Sequence, residues 1–188
     1  MAARYFPERA IVIFAALGAV SGAVSALTFQ LVVFGAFFRG MPPDATIPFS
    51  PGIAFAVALA VAIGLTVTRR AMPIAAMMAA SMLGWWIVIE YAAHPVFFNN
   101  GWAVNIAHWL GCGRVGALIV GVTGALAGLY ERSFLNIAEI GGVGAIFGLL
   151  TLWDQPFYWP LFVAWQAAVG ATIGHAIVRS RRAAPVPA

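Results

Sequence analysis

Few residues in this chain could do chemistry, and they fall into two groups. Glu90 and His94 stand four apart, so on a helix they share one face. His108 follows in a polar stretch, three residues after Asn105, and Arg114 comes shortly after. Glu-x-x-x-His is a plausible ligand pair, which makes Glu90, His94 and His108 a weak candidate metal set. A fourth ligand is missing and Cys112 is the sole cysteine, so neither a metal nor any other cofactor is expected. The same residues could serve as acid and base in an enzyme or line a solute site with Arg114. The plainer alternative pairs Glu90 with Arg114 at a membrane interface. In the second group Glu139 and His175 are expected at similar depth on adjacent antiparallel helices. A carboxylate there would raise the imidazole pKa and could relay protons, or the pair is a structural hydrogen bond. Gln30, Gln166, Ser21, Ser25 and Thr123 could line a path, or bond the backbone of a neighbouring helix.

Composition decides where such residues must work. The 188 residues are 63% hydrophobic and 9% charged, with a mean hydropathy of +0.94. A soluble domain carries about 25% charge. The class is therefore an all-α, polytopic integral membrane protein. The positive residues are all arginine, scattered at the ends of apolar runs, so membrane topology explains the net charge of +4 better than nucleic acid does. A lysine-free chain rich in Ala and Gly points to a bacterial source. A single cysteine excludes an internal disulfide. Enzyme motifs are missing: no glycine-rich phosphate loop with Lys, no His-Glu-x-x-His, no paired aspartates.

Six apolar runs are predicted as transmembrane helices, since each span needs about 20 residues. They cover Ile11 to Phe38, Gly52 to Thr68, Met72 to Ala92, Gly113 to Tyr130, Leu135 to Trp153 and Phe157 to Val178. Arg4 and Arg9 precede the first run, and Ala23-Val24-Ser25-Ala26 could pass for a cleavage site. The run continues far beyond it, which reads as an uncleaved helix. Pro42, Pro43 and Pro48 mark a loop, and Arg69-Arg70 a tight turn. His94 to Cys112 is too polar for a clean span and is predicted as a short interfacial or re-entrant segment between helices 3 and 4, with Trp102 and Trp109 as interface anchors. Residues 1–178 form one six-helix domain in this reading, and 179–188 a disordered basic tail. With both termini inside, Arg4, Arg9, Arg69, Arg70, Arg132, Arg179, Arg181 and Arg182 are cytoplasmic and only Arg39 and Arg114 lie outside, as the positive-inside rule requires. The location expected is a bacterial inner membrane.

Small residues recur at helical spacing. Ala15, Gly18, Ala19 and Gly22 share a face of helix 1, joined by Ala23 and Ala26. Gly124 and Gly128, Gly144 and Gly148, and Gly170 and Gly174 repeat the four-residue step. Lipid tails give helices no hydrophobic drive to associate, so close backbone packing must hold them. These stripes either pack the bundle internally or dock a second copy or another membrane subunit. Gly18-x-x-x-Gly22 and Gly124-x-x-x-Gly128 would also suit two inverted three-helix halves, a transporter device.

The stretch Gly141-Gly-Val143-Gly-Ala-Ile-Phe-Gly-Leu-Leu150 resembles the nucleophile helix of rhomboid proteases over ten residues. That family carries Ser where this chain has Val143, and two further helices after it, the second with a catalytic His. One apolar run follows here, so no catalytic residue carries over. In size and layout the chain also looks like the substrate-binding subunits of energy-coupling-factor vitamin transporters. Those are six-helix proteins with both ends inside that dock a partner through small residues on helix 1. The function expected is a small transport component: a channel, a carrier or the solute-binding subunit of a larger transporter. The alternatives are an accessory subunit of a membrane complex and, further off, a membrane enzyme. Membrane lipid and a second copy or other membrane subunits are the partners expected.

Overall fold

The computed structural model describes residues 7–38, 50–92, 102–152 and 159–183. Among them all regular structure is helical. A short 3-10 turn, Pro7–Arg9, leads into α1 (Ala10–Phe38). It is followed by α2 (Ser50–Thr66), α3 (Ala71–Ala92), α4 (Trp102–Leu126), α5 (Phe134–Gly148) with a 3-10 extension Leu149–Leu152, and α6 (Trp159–Ala183). Pro51 and Pro73 sit in the first turns of α2 and α3, where the missing N–H would have no intrahelical partner. Ser133 caps α5 from an extended conformation and accepts the backbone N–H of Asn136.

Among the described residues, four helices are long and apolar enough to cross a membrane, within Ala10–Leu31, Ala71–Glu90, Val104–Leu126 and Trp159–Ala183; Pro51–Thr66 and Phe134–Gly148 are apolar but shorter. The outer surface is apolar too. Val20 is 62%, Ile146 64% and Leu31 70% exposed, which suits lipid and not water.

The helices pack in chain order, and α6 returns to close on α1. Phe14, Leu59, Ile63, Met77, Ile140 and Ile173 are among the buried core residues. Two seams are tightest. Along α1 and α6, a Cβ added to Gly174 would come within 2.7 Å of the Ala10 carbonyl oxygen, and one on Gly170 within 2.6 Å of that of Phe14. Gly18 faces the Gln166 carbonyl and Gly22 that of Phe162 in the same way. The contacts advance four residues up one helix as they step four down the other, so the pair is antiparallel and nearly backbone to backbone. Ala15 and Ala19 are half-buried beside it. The second seam joins α4 to α5: an added Cβ would meet the Gly113 carbonyl oxygen at 2.6 Å from Gly144, and the Trp109 oxygen at 2.5 Å from Gly148. The stripes of α1, α5 and α6 are thus engaged inside the bundle.

Three expectations need correction. No interfacial or re-entrant segment occupies 102–112; those residues are the first turns of α4. His108, one of the polar residues that broke the hydropathy pattern, is buried on a continuous helix. At its other end α4 stops at Leu126, not Tyr130. Gly128 takes a positive φ of 73°, a conformation glycine adopts without a Cβ clash and a common way to end a helix. Gly124 leaves room for the Tyr130 ring, while Gly128 is exposed and has open space around it. Neither packs a helix pair, and their match to Gly18 and Gly22 gives no support to an inverted repeat. Finally, α6 continues to Ala183, so residues 179–183 are helix and not tail.

Candidate functional site

Inside the ring lies a cavity of about 230 Å³. Its walls come from all six helices. Phe29 of α1, Phe55 of α2, Trp85 of α3, Trp109 of α4, and Phe162 and Trp165 of α6 supply the aromatic lining. Gly52, Gly84, Gly113 and Gly116 also line it, and a Cβ on Gly116 would press on Val88 and Trp165 of the wall. The rings touch edge-on or tilted. Trp85 and Phe162 centroids lie 5.2 Å apart at 44°, and Phe55 and Trp165 lie 5.9 Å apart at 65°. Those are favourable arrangements for aromatic quadrupoles.

Polar groups in the lining are few and uncharged. Gln166 is 1% exposed. Its Oε1 accepts from Ser21 Oγ at 2.6 Å, and its Nε2 donates to Ser25 Oγ at 3.0 Å. Ser25 also donates to the Ser21 carbonyl of its own helix, and the single Ser21 proton is shared between Gln166 and the Gly18 carbonyl at 3.0 Å. Such a bridge between α1 and α6 satisfies groups that would otherwise be costly to bury. Ser81 Oγ donates to the Gly52 carbonyl at 3.0 Å, tying α3 to α2. Trp165 Nε1 donates to both Gly113 and Gly144 carbonyls, at 3.3 and 3.1 Å, which fixes its indole against the α4–α5 seam. Trp85 Nε1 is buried with no hydrogen-bond partner among the described residues.

The ionisable candidates sit elsewhere. Glu90 is exposed at the end of α3, and no ion pair joins it to Arg114 among the described residues. Arg114 lies midway along α4 and is exposed there, not at a helix start. Its side chain leans toward the N-terminal end of α4. His108 ring atom Nε2 lies 3.7 Å from Cys112 Sγ, one turn on, and its ring packs edge-on against Trp109 at 4.9 Å. His94 lies outside the described residues. Among those described, no three His, Cys, Asp or Glu side chains group as a metal site. Gln30 is half-buried on α1 and is absent from the cavity wall.

Glu139 and His175 do meet, with Nδ1 and Oε2 4.0 Å apart. The stronger partner is Arg179, whose guanidinium donates to both Glu139 oxygens at 3.0 and 2.9 Å and to Asn136 Oδ1. Asn136 in turn donates to the Glu131 carbonyl at 3.0 Å. Two-pronged arginine–carboxylate bonding is strong and directional. This end of the bundle is closed by it. Arg132 reaches the last carbonyls of α4, Ala125 and Leu126, and the Tyr130 hydroxyl donates to the Gly121 carbonyl. Burial pushes the Tyr130 phenol above its ordinary range, so it stays a neutral donor.

The cavity is what sequence reasoning missed. Only Gln166 among the polar candidates lines it, and Trp109 had been assigned to the interface. Comparison of the chain with family models, curated proteins and solved structures finds no match, so the site itself carries the functional argument.

Proposed function

We propose that this protein is a six-span membrane transport component that holds a neutral, mainly apolar small solute in the cavity. The observation that carries the reading is the cavity wall. It is aromatic on several helices, contains a braced amide at Gln166, and among the described residues has no charged side chain. Taking an ion into such a site would cost several kcal/mol or more without a paired charge, so the solute is neutral. The volume is modest. An apolar cavity of about 150 Å³ holds benzene, so about 230 Å³ suits one or two rings.

Helix lengths support six spans. The 17 residues of α2 rise about 25 Å at about 1.5 Å each. The 15 residues of α5 with the four of its 3-10 extension reach about 30 Å. The hydrocarbon core is about 30 Å thick. Arginine placement favours both ends in the cytoplasm of a bacterial cell and the Arg179–Glu139 end facing inward. A solute-binding subunit of a larger transporter fits this size. The helix 1 stripe cannot be its docking face, because α6 covers Gly18 and Gly22. That cover also weighs against the accessory-subunit alternative, which needs a solid core and an outward small-residue face.

The test is gentle purification from native membranes, extraction, and mass spectrometry of wild type beside Gly84→Leu. The Gly84 Cβ would meet the Gly116 carbonyl oxygen at 3.4 Å and Ile119 at 3.6 Å, so a leucine there presses α3 against α4 where both form the cavity wall. One neutral molecule recovered in near-equal amount with wild type, depleted in the variant, and carried across proteoliposomes is the expected result. A fixed set of protein subunits with no retained molecule would favour the accessory reading instead.

A further inference from the structure

We infer that the outer faces of α3 and α4 seat a second copy of this chain, with Glu90 of each copy paired to Arg114 of the other. Arg114 stands near the middle of the apolar stretch Val104–Leu126, about 15 Å or more from either end at about 1.5 Å per residue. It is exposed there, and among the described residues no hydrogen bond or ion pair reaches it. Val104, Val115, Val122 and Leu126 of the same helix are exposed and apolar, so a lone charge interrupts a surface otherwise suited to lipid. A charge in the middle of a span is costly and calls for a partner. The group it needs stands on the next helix. Gly84 lies against Gly116 and Ile119, and Val88 against Gly116, so α3 and α4 run antiparallel. Glu90, just past Val88, is then level with Arg114, just before Gly116. Glu90 is exposed too, and unpaired among the described residues. Leu83 and Trp86 share its face at helical steps of three and four, and both are exposed. Carboxylate and guanidinium are thus both exposed, at one level on neighbouring helices, without meeting. That arrangement is self-complementary. A half-turn about the membrane normal sets Glu90 against Arg114 twice, as a two-fold interface requires. Tryptophan and arginine are also the residues that dominate the centres of interfaces. Neither Glu90 nor Arg114 lines the cavity, so this pairing stands apart from the solute reading.

The test counts copies of the labelled full chain by single-molecule photobleaching in liposomes at high lipid dilution. Wild type is expected as a dimer. Glu90→Arg and Arg114→Glu each set like charges together across the interface, and each should weaken the dimer about 10-fold or more. Reconstituted as a mixture, the two variants should recover it as a hetero-pair with one copy of each, since each then supplies the charge that the other lacks. A pair formed within one chain could not be rescued by mixing. Arg114→Leu keeps the test sound should the charge reversals fail to fold. It puts an ordinary lipid-facing side chain on α4, so it should insert, melt no lower than wild type and run as a monomer. A monomeric wild type overturns the inference, with lipid headgroups then serving Arg114. A dimer that persists in Arg114→Leu overturns it as well, as does a mixture of folded charge variants that fails to pair.

Discussion

Helix α6 makes two opposite surfaces from one strand of sequence. Its second half, with Gly170 and Gly174, lies so close to α1 that a methyl group has no room. Its first half, with Phe162, Trp165 and Gln166, opens onto a cavity. Small residues close the seam because backbones can then approach and gain dispersion along their length. Large rings hold the cavity open because they bridge from helix to helix without collapsing into the centre. Gln166 stands at the border. Its backbone carbonyl faces Gly18 in the seam, and its amide joins the cavity wall. The difference teaches that packing density here is graded along the helix, closed at the ion-paired end and open toward the aromatic one.

Breaking the seam should have the largest effect. Gly170→Leu drives a side chain into the Phe14 carbonyl at 2.6 Å, and backbone has little room to yield. Overpacking costs about 1–3 kcal/mol and sometimes more, and this site belongs at or above the top of that range. The check is thermal unfolding in detergent, where Gly170→Leu should melt far below wild type. Arg179→Ala comes next. It leaves Glu139 and Asn136 without their shared donor, in a network about one-third exposed. A loss of about 1–2 kcal/mol is expected, and high salt should narrow the gap. His175→Ala, at 4.0 Å and 52% exposed, should cost less than about 0.5 kcal/mol.

Changes at the border and in the cavity sharpen the contrast. Gln166→Leu removes the α1–α6 bridge, but Ser21 and Ser25 keep bonds to their own helix. The stability loss should be near 0.6–1.7 kcal/mol, by analogy with polar contacts between membrane helices, with a clear change in retained ligand. Smallest of all is Gly142→Leu on the outward face of α5, where a Cβ meets nothing within 4 Å. It should leave the melting curve unlowered, since Leu also favours helix over Gly. A loss comparable to that of Gly170→Leu would mean that this face, too, is covered in the membrane.

Much of the fold was legible because apolar runs and arginine punctuation report helices directly. The α2–α3 hairpin about Arg69 and Arg70 lies where the sequence puts it. The start of α4 was not legible, because Asn105, His108 and Arg114 lower its hydropathy while burial of His108 is a tertiary fact. Gly128 carried a readable stop signal, yet its spacing from Gly124 imitated a packing motif. Glu139 and His175 were found from depth alone. Arg179 was missed because it was counted with the tail, although it lies one turn after His175. The cavity had no sequence signature. Its rings come from separate helices, and membrane tryptophans ordinarily mark interfaces. Only closure of α6 on α1 brings Phe29 and Trp165 to one space.

The central claim is that this space is a binding site and not a packing gap. A crystal structure of the purified chain grown from a lipidic mesophase, with whatever it retains from the cell, tests that most directly. The account expects compact non-protein density between Trp85, Trp165 and Gln166. Indoles of Trp85 and Trp165 swung together over an eliminated void would contradict it.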